Sequence, residues 1–172
     1  MRPGADHGPD RRRGAAAALL AVLLAGHQAV ERWRGAHALM INSSDSLPNW
    51  AFFVTRGARP ELGDHVFFEP PSSALLAAHF GDRPQPFGKR VLGMPGEIVR
   101  RDERLVTVNH RVVGWTKPRT RTGMALEPGP VGRIPSGCYY VGTGHPDGFD
   151  SRYAAIGFVC ARRILGVGTP IL

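Results

Sequence analysis

The chain has 172 residues, 42% of them hydrophobic and 21% charged, with a net charge of +8. That length fits one domain with a real core once a terminal segment is set aside. The positive excess is spread out and never interleaved with aromatics, and Arg100-Arg101 and Arg162-Arg163 read as solvated strand ends, so nucleic acid is not an expected partner.

Residues 2 to 34 hold six arginines against three acidic residues. Arg11-Arg12-Arg13 precedes an uncharged, mostly small apolar run from Gly14 to Gly26, which continues through Val30 before Glu31 and Arg32 stop it. The run reads as an N-terminal hydrophobic helix, either a single membrane anchor or a cleaved export signal; taken alone it is shorter than the roughly 20 residues of a full span. A core helix would show a polar face, and this run has none. Arginines ahead of it are expected to stay inside, which places the following chain across the membrane. Residues 1–35 are therefore expected to form a basic tail with an anchor or signal, and residues 36–172 a separate domain.

Beyond the anchor, short segments rich in β-branched and aromatic residues are punctuated by 22 glycines and 15 prolines. The pattern predicts a mostly β, antiparallel domain with strands at Phe52 to Thr55, His65 to Phe68, Lys89 to Leu92, Glu97 to Arg100, Leu105 to Val108, Val112 to Trp115, Tyr139 to Gly142 and Gly157 to Cys160. Asn109-His110 suits a tight hairpin turn. One short helix is expected from Ser72 to Phe80, with a serine N-cap and Gly81 as its stop. Lys117 to Pro135 shows little periodicity and reads as a long surface excursion. The two cysteines, Cys138 and Cys160, can pair if the domain is exported, closing a loop around residues 144 to 152 and contributing on the order of 3 kcal/mol. Two separate buried thiols acting as apolar fillers are the alternative.

Candidate chemistry begins with lysine, because only two of the 22 basic residues are lysines, Lys89 and Lys117. Burial can push a lysine towards the neutral amine that accepts a proton from a serine hydroxyl, which arginine cannot do. A solvated surface lysine is the ordinary alternative. Ser46 lies in the polar loop Asn42-Ser43-Ser44-Asp45-Ser46-Leu47-Pro48, where Pro48 biases Leu47 to an extended backbone. A serine turn beside proline is common, so Ser46 gains meaning only with a base in reach. The seven histidines are scattered without metal-ligand spacing, and no metal or cofactor is expected. A Ser46, His145, Asp150 triad can be drawn, but no GxSxG elbow supports it.

Four segments in order, Ser44-x-Ser46-Leu47-Pro48, Gly63-Asp64-His65-Val66-Phe67-Phe68, Lys89-Arg90-Val91-Leu92-Gly93-Met94-Pro95-Gly96-Glu97 and Gly148-Phe149-Asp150-Ser151-Arg152-Tyr153, resemble the boxes of type I signal peptidases. The resemblance runs from about residue 40 to the C-terminus. The short chain, single anchor and His145 to Tyr153 segment look most like the TraF-type peptidases of conjugative transfer. The resemblance implies a signal-peptidase-like antiparallel β domain with Ser46 as nucleophile and Lys89 as general base. The Ser46 N–H and the Ser44 hydroxyl would form the oxyanion hole, Asp150 and Arg152 would brace the site, and Gly63-Asp64 would mark a strand entry with no chemical role. It also implies a precursor protein substrate, pilin-like and possible to cyclise, partners in a conjugation or type IV secretion apparatus, and a single-pass place in a bacterial inner membrane with the domain facing the periplasm. Many relatives carry a serine two residues before the matching aspartate, hydrogen-bonded to the lysine; here that position is Gly148, leaving Ser151, Thr143 or a water to orient Lys89. A self-cleaving LexA-like regulator lacks support, because an apolar run stands where a DNA-binding helix pair would be needed. A non-enzymatic, membrane-tethered β component of a secretion channel is the alternative from another class.

Overall fold

The structure, a computed structural model, describes residues 8–44 and 46–171. The start of the basic tail, residues 1–7, and Asp45 of the serine loop lie outside the described residues. Two compact units are present, Met1–His37 and Ala38–Leu172.

The described part of the first unit is one helix, α1 (Gly8–Ala36), longer than the apolar run at both ends, where Arg11 to Arg13 before it and Glu31 and Arg32 after it are good helix formers. Within it, Arg13–Ala36 is 24 residues long and apolar enough to cross a membrane. At 1.5 Å per residue that is about 36 Å, sufficient for the hydrocarbon core. Leu19, Leu20, Val22, Leu23 and Leu24 are all exposed among the described residues.

Among the described residues the second unit has eleven strands and one short α-helix: β1 (His37–Ile41), β2 (Ala51–Thr55), β3 (His65–Phe68), α2 (Ala74–Phe80), β4 (Phe87–Gly93), β5 (Ile98–Asp102), β6 (Leu105–Val108), β7 (Arg111–Trp115), β8 (Gly132–Arg133), β9 (Cys138–Gly142), β10 (Val159–Cys160) and β11 (Ile164–Pro170). Seven strands form one sheet in the order β1-β2-β11-β3-β4-β9-β10, and four form a second in the order β7-β6-β5-β8. The pairings with a defined register are all antiparallel.

Alternation along the strands distributes the core. In β9, Tyr139 and Val141 join Val66, Phe68, Leu76, Val91, Ile156 and Val159, whereas Cys138 and Tyr140 join Val99, Val106, Val108 and Ile134. Successive side chains of a strand point to opposite faces, and β9 is buried on both. It is therefore a partition between two cores, and the loop leaving its end is held firmly. In β3, likewise, Val66 and Phe68 face the first cluster while Phe67 packs with Leu47, Phe52 and Val54.

The turn chemistry follows the residues. Asn109 and His110 both have positive φ, 44° and 66°, as a two-residue type I′ hairpin requires. Ser73 caps α2 by accepting from the Leu76 N–H at 3.1 Å, and the Gly81 N–H closes the helix on the Ala77 carbonyl. Cys138 and Cys160 stand opposite each other on β9 and β10 and are joined as a disulfide.

Three strands are absent from the expected set: β1, the two-residue β8 inside the Lys117 to Pro135 excursion, and β11. β11 pairs with both β2 and β3 in the middle of the sheet, yet in its sequence Ile-Leu-Gly-Val-Gly-Thr-Pro two glycines and a proline interrupt the strand signal. The glycines are there because neighbours come too close for a side chain. A Cβ at Gly166 would lie 2.5 Å from the Thr55 carbonyl oxygen, and one at Gly168 would lie 2.5 Å from the Phe67 ring. β1 carries little turn punctuation between itself and the helix before it, which hides it from a pattern reading.

Candidate active site

Ser46 sits in the loop between β1 and β2, and Asn42 shapes that loop. The Asn42 amide nitrogen donates to the carbonyls of Leu47 at 3.0 Å and Asn49 at 3.1 Å, while its side-chain oxygen accepts from the Ser44 N–H at 3.1 Å and the Ser44 hydroxyl at 3.0 Å. All the hydrogen-bonding capacity of one side chain is spent on the serine turn. The Ser44 and Ser46 hydroxyl oxygens are 2.7 Å apart. With the Ser44 proton directed to Asn42, Ser46 donates to Ser44.

Leu47, next in the chain, is the peg of the loop. It is buried among Phe52, Val54 and Phe67. A Cβ at Gly88 would lie 2.9 Å from the Phe67 ring and 3.2 Å from the Leu47 Cδ1, so a side chain at 88 would crowd both. Leu47 and Gly88 adjoin Ser46 and Lys89 in the chain, so this contact sets the two distant segments side by side.

Lys89 lies on β4 opposite Val66 of β3. By alternation it shares a face with Phe87 and Val91, both packed in the main core cluster. It is only 5% exposed, and its Nζ lies 5.8 Å from the centre of the Phe87 ring. Desolvation is the main reason its pKa falls below the ordinary lysine value; attraction to Asp150 opposes the fall and repulsion from Arg152 adds to it. Among the described residues the amine makes no hydrogen bond within normal range, to Ser46 or to any other side chain.

Behind it, Asp150 and Arg152 form a buried bidentate pair, with both contacts at 2.8 Å. The guanidinium also donates to the carbonyls of His145, Gly148 and Trp115, and Asp150 accepts from the Thr143 N–H at 3.2 Å. The pair binds the loop after β9 to β7, a bracing role suited to a fully hydrogen-bonded buried ion pair.

The candidates for orienting Lys89 resolve unequally. Ser151 is fully buried, donating to the Gly157 carbonyl at 2.8 Å and accepting from the Val141 N–H at 3.0 Å. Thr143 donates its hydroxyl to the Ser46 carbonyl and accepts from the His145 N–H at 3.1 Å. Each proton is committed away from the amine. The glycine at 148 has a steric cause: a Cβ there would lie 2.0 Å from the Thr143 methyl and 2.7 Å from the Arg152 guanidinium. The space a serine side chain would need is occupied by a threonine whose own hydroxyl holds the Ser46 backbone.

Sequence reasoning missed Asn42 entirely, although an Asn two residues before a serine is a recognisable Asx-turn signal. The Lys117 to Pro135 excursion is mostly exposed, as expected, but its place at the cleft was not foreseen. Lys117, Arg119 and Arg121 line the same cleft as Ser44, Ser46 and Lys89. That cleft has a volume of about 720 Å³, within the range of sites that bury a ligand. Gly63 and Asp64 bond β3 to β4 through the Val91 carbonyl and N–H and take no part in it. The histidine of the paper triad, His145, lines the cleft but bonds the Asp147 N–H at 3.2 Å through Nδ1.

One apolar helix ahead of a β domain, with a serine and a desolvated lysine on the walls of one cleft, defines the class. The chain belongs to the signal peptidase family, peptidase S26, whose model matches residues 11–172. It is 36% identical over 108 residues to a probable signal peptidase I-2 of Synechocystis, covering 62% of this chain and 45% of that protein, so it spans less than half the length of that relative. It is 29% identical over 149 residues to the conjugal transfer protein TraF of Agrobacterium fabrum, covering 80% of this chain and 82% of that one. A signal peptidase I crystal structure from Enterococcus faecalis aligns with a TM-score of 0.40 and 22% identity over 65% of this chain and 98% of that one.

Proposed function

We propose that the protein is a membrane-anchored serine endopeptidase in which Ser46 and Lys89 form the catalytic dyad. The observation that carries this reading is the lysine: an amine 5% exposed, on an apolar strand face, lining the cleft that Ser46 also lines. Burial disfavours its charge, so near neutral pH it is far better prepared to take a proton than a surface lysine.

The Ser46 hydroxyl turns from Ser44 to the amine, loses its proton to it and attacks the scissile carbonyl. The oxyanion accepts from the Ser46 N–H and from Ser44, whose hydroxyl rotates off the Asn42 oxygen to serve it. Lys89, now protonated, returns that proton to the departing amine. The acyl group then passes from Ser46 to water, or to an amine of the substrate held where water is excluded.

The substrate on this reading is an exported precursor, and its finer identity, a conjugative pilin with possible head-to-tail cyclisation, is supported by the resemblance to TraF-type peptidases. α1 would hold residues 36–172 at the outer face of the bacterial inner membrane, with Arg11 to Arg13 inside. Incubation of the full-length protein with a candidate pilin precursor, followed by mass measurement, tests the proposal. The wild type yields a shortened product, one water lighter still if cyclised, and S46A and K89A yield none. Full processing by either variant refutes the dyad. A non-catalytic docking component would leave the precursor uncut by all three.

A further inference from the structure

We propose that the cleft selects precursor segments carrying a carboxylate, through a cationic wall formed by Lys117, Arg119 and Arg121. The inference rests on the reading of the cleft as the peptide-binding site and names the chemistry of what it takes. Apart from Lys89, the described lining residues hold three basic side chains and a single carboxylate, Asp147. His79 and His145 line it too and can only add positive charge.

Asp147 does not exhaust the wall. It accepts one ammonium proton of Lys117 on one oxygen, and on the other it accepts the Nε and an NH2 proton of Arg121 at 3.0 and 2.6 Å. An ammonium has three donors and a guanidinium five, so most of these N–H groups still face the cleft or solvent. Asp147 thus orders the two cations while leaving net positive charge beside it. The segment is held in shape as well: Leu126 N–H bonds the Pro118 carbonyl, Thr120 N–H bonds the Met124 carbonyl, Arg119 bonds the Gly123 carbonyl at 2.9 Å, and the Lys117 N–H donates to the Tyr153 hydroxyl at 3.1 Å. The cleft has an apolar part as well, with Phe80, Phe87 and Phe149. A peptide with small apolar residues and one carboxylate complements both, whereas a cationic peptide is repelled. The carboxylate can come from an Asp or Glu side chain or from a free C-terminus.

Binding measured on full-length S46A in non-ionic detergent separates this from catalysis. Fluorescence anisotropy is followed for four labelled peptides of one small-residue sequence, with Glu or Gln at one position and a free or amidated C-terminus. The Glu, free-acid peptide is expected to bind about threefold to tenfold tighter than the Gln, amide peptide at low salt, with the preference shrinking at high salt. The two mixed peptides tell side-chain from terminal carboxylate. R119Q/R121Q, which leaves Lys117 on Asp147, is expected to bring the ratio close to one. Equal binding of all four peptides, no binding of any, or a preference that survives R119Q/R121Q overturns the proposal. Failure of precursor cleavage alongside a preserved carboxylate preference would count against the dyad and not against the wall.

Discussion

At the scale of single residues the site is a set of hydrogen-bond commitments. Lys89 is the exception, a buried amine with no committed partner among the described residues, and its burial sets the pH behaviour. In the proposed role of general base it would work when neutral, so kcat/KM is expected to rise with pH through its depressed pKa and level off below the ordinary lysine value of 10.5. The same burial predicts a stability effect of definite sign. Between the lowered folded pKa and the unfolded value the unfolded chain binds more protons, so stability rises with pH across that window. K89M, which keeps the apolar stem, is expected to flatten that rise in a denaturant titration at several pH values; an unchanged slope would show the amine is not desolvated. Asn42 and Thr143 act on the serine through the backbone. N42A is expected to lower kcat about 10- to 100-fold with little change in KM, because a displacement near 1 Å suffices for that. T143V keeps the methyl and loses the bond to the Ser46 carbonyl, so it should be slow while T143S is close to wild type; equal activity of the two would remove Thr143 from this role.

Elements carry the residues to their places. The β3-β4 pair fixes Lys89 against Val66, β9 carries the Asp150 loop, and the disulfide ties β9 to β10 just behind it. Reduction of Cys138–Cys160 is expected to lower unfolding free energy on the order of 3 kcal/mol, read as a lower denaturation midpoint, because the bridge closes a loop with a sequence separation of 22. G168A should destabilise by about 1 to 3 kcal/mol through collision with the Phe67 ring, which is 2.5 Å from the added methyl. Much of this level was legible beforehand. Strands with ordinary alternation, such as His65–Phe68 and Leu105–Val108, and the Asn109-His110 turn announce themselves locally. β11 does not, because its two glycines are required by the approach of Thr55 and Phe67 from strands far away in sequence. The site divides the same way. Lys89 stood out by residue type and motif, while Asn42 and the cationic segment are defined only by what the folded chain brings next to them.

For the whole molecule, two units with different surface logic are joined: a helix whose leucines are exposed and a β domain built around buried apolar clusters. Removal of residues 1–35 is expected to shift the protein from the membrane pellet to the soluble fraction after carbonate extraction, and retention in the membrane would contradict the anchoring role of α1. Across the molecule the functional account depends on one state, an uncharged Lys89 amine available to Ser46. Because the chain has only two lysines, isotope labelling of lysine side chains gives two resonances, and K89M assigns them. An NMR titration of the full-length protein is predicted to show the Lys89 signal changing charge well below pH 10.5 and to show its midpoint moved by S46A. A Lys89 midpoint at the ordinary lysine value, indifferent to S46A, would contradict the account.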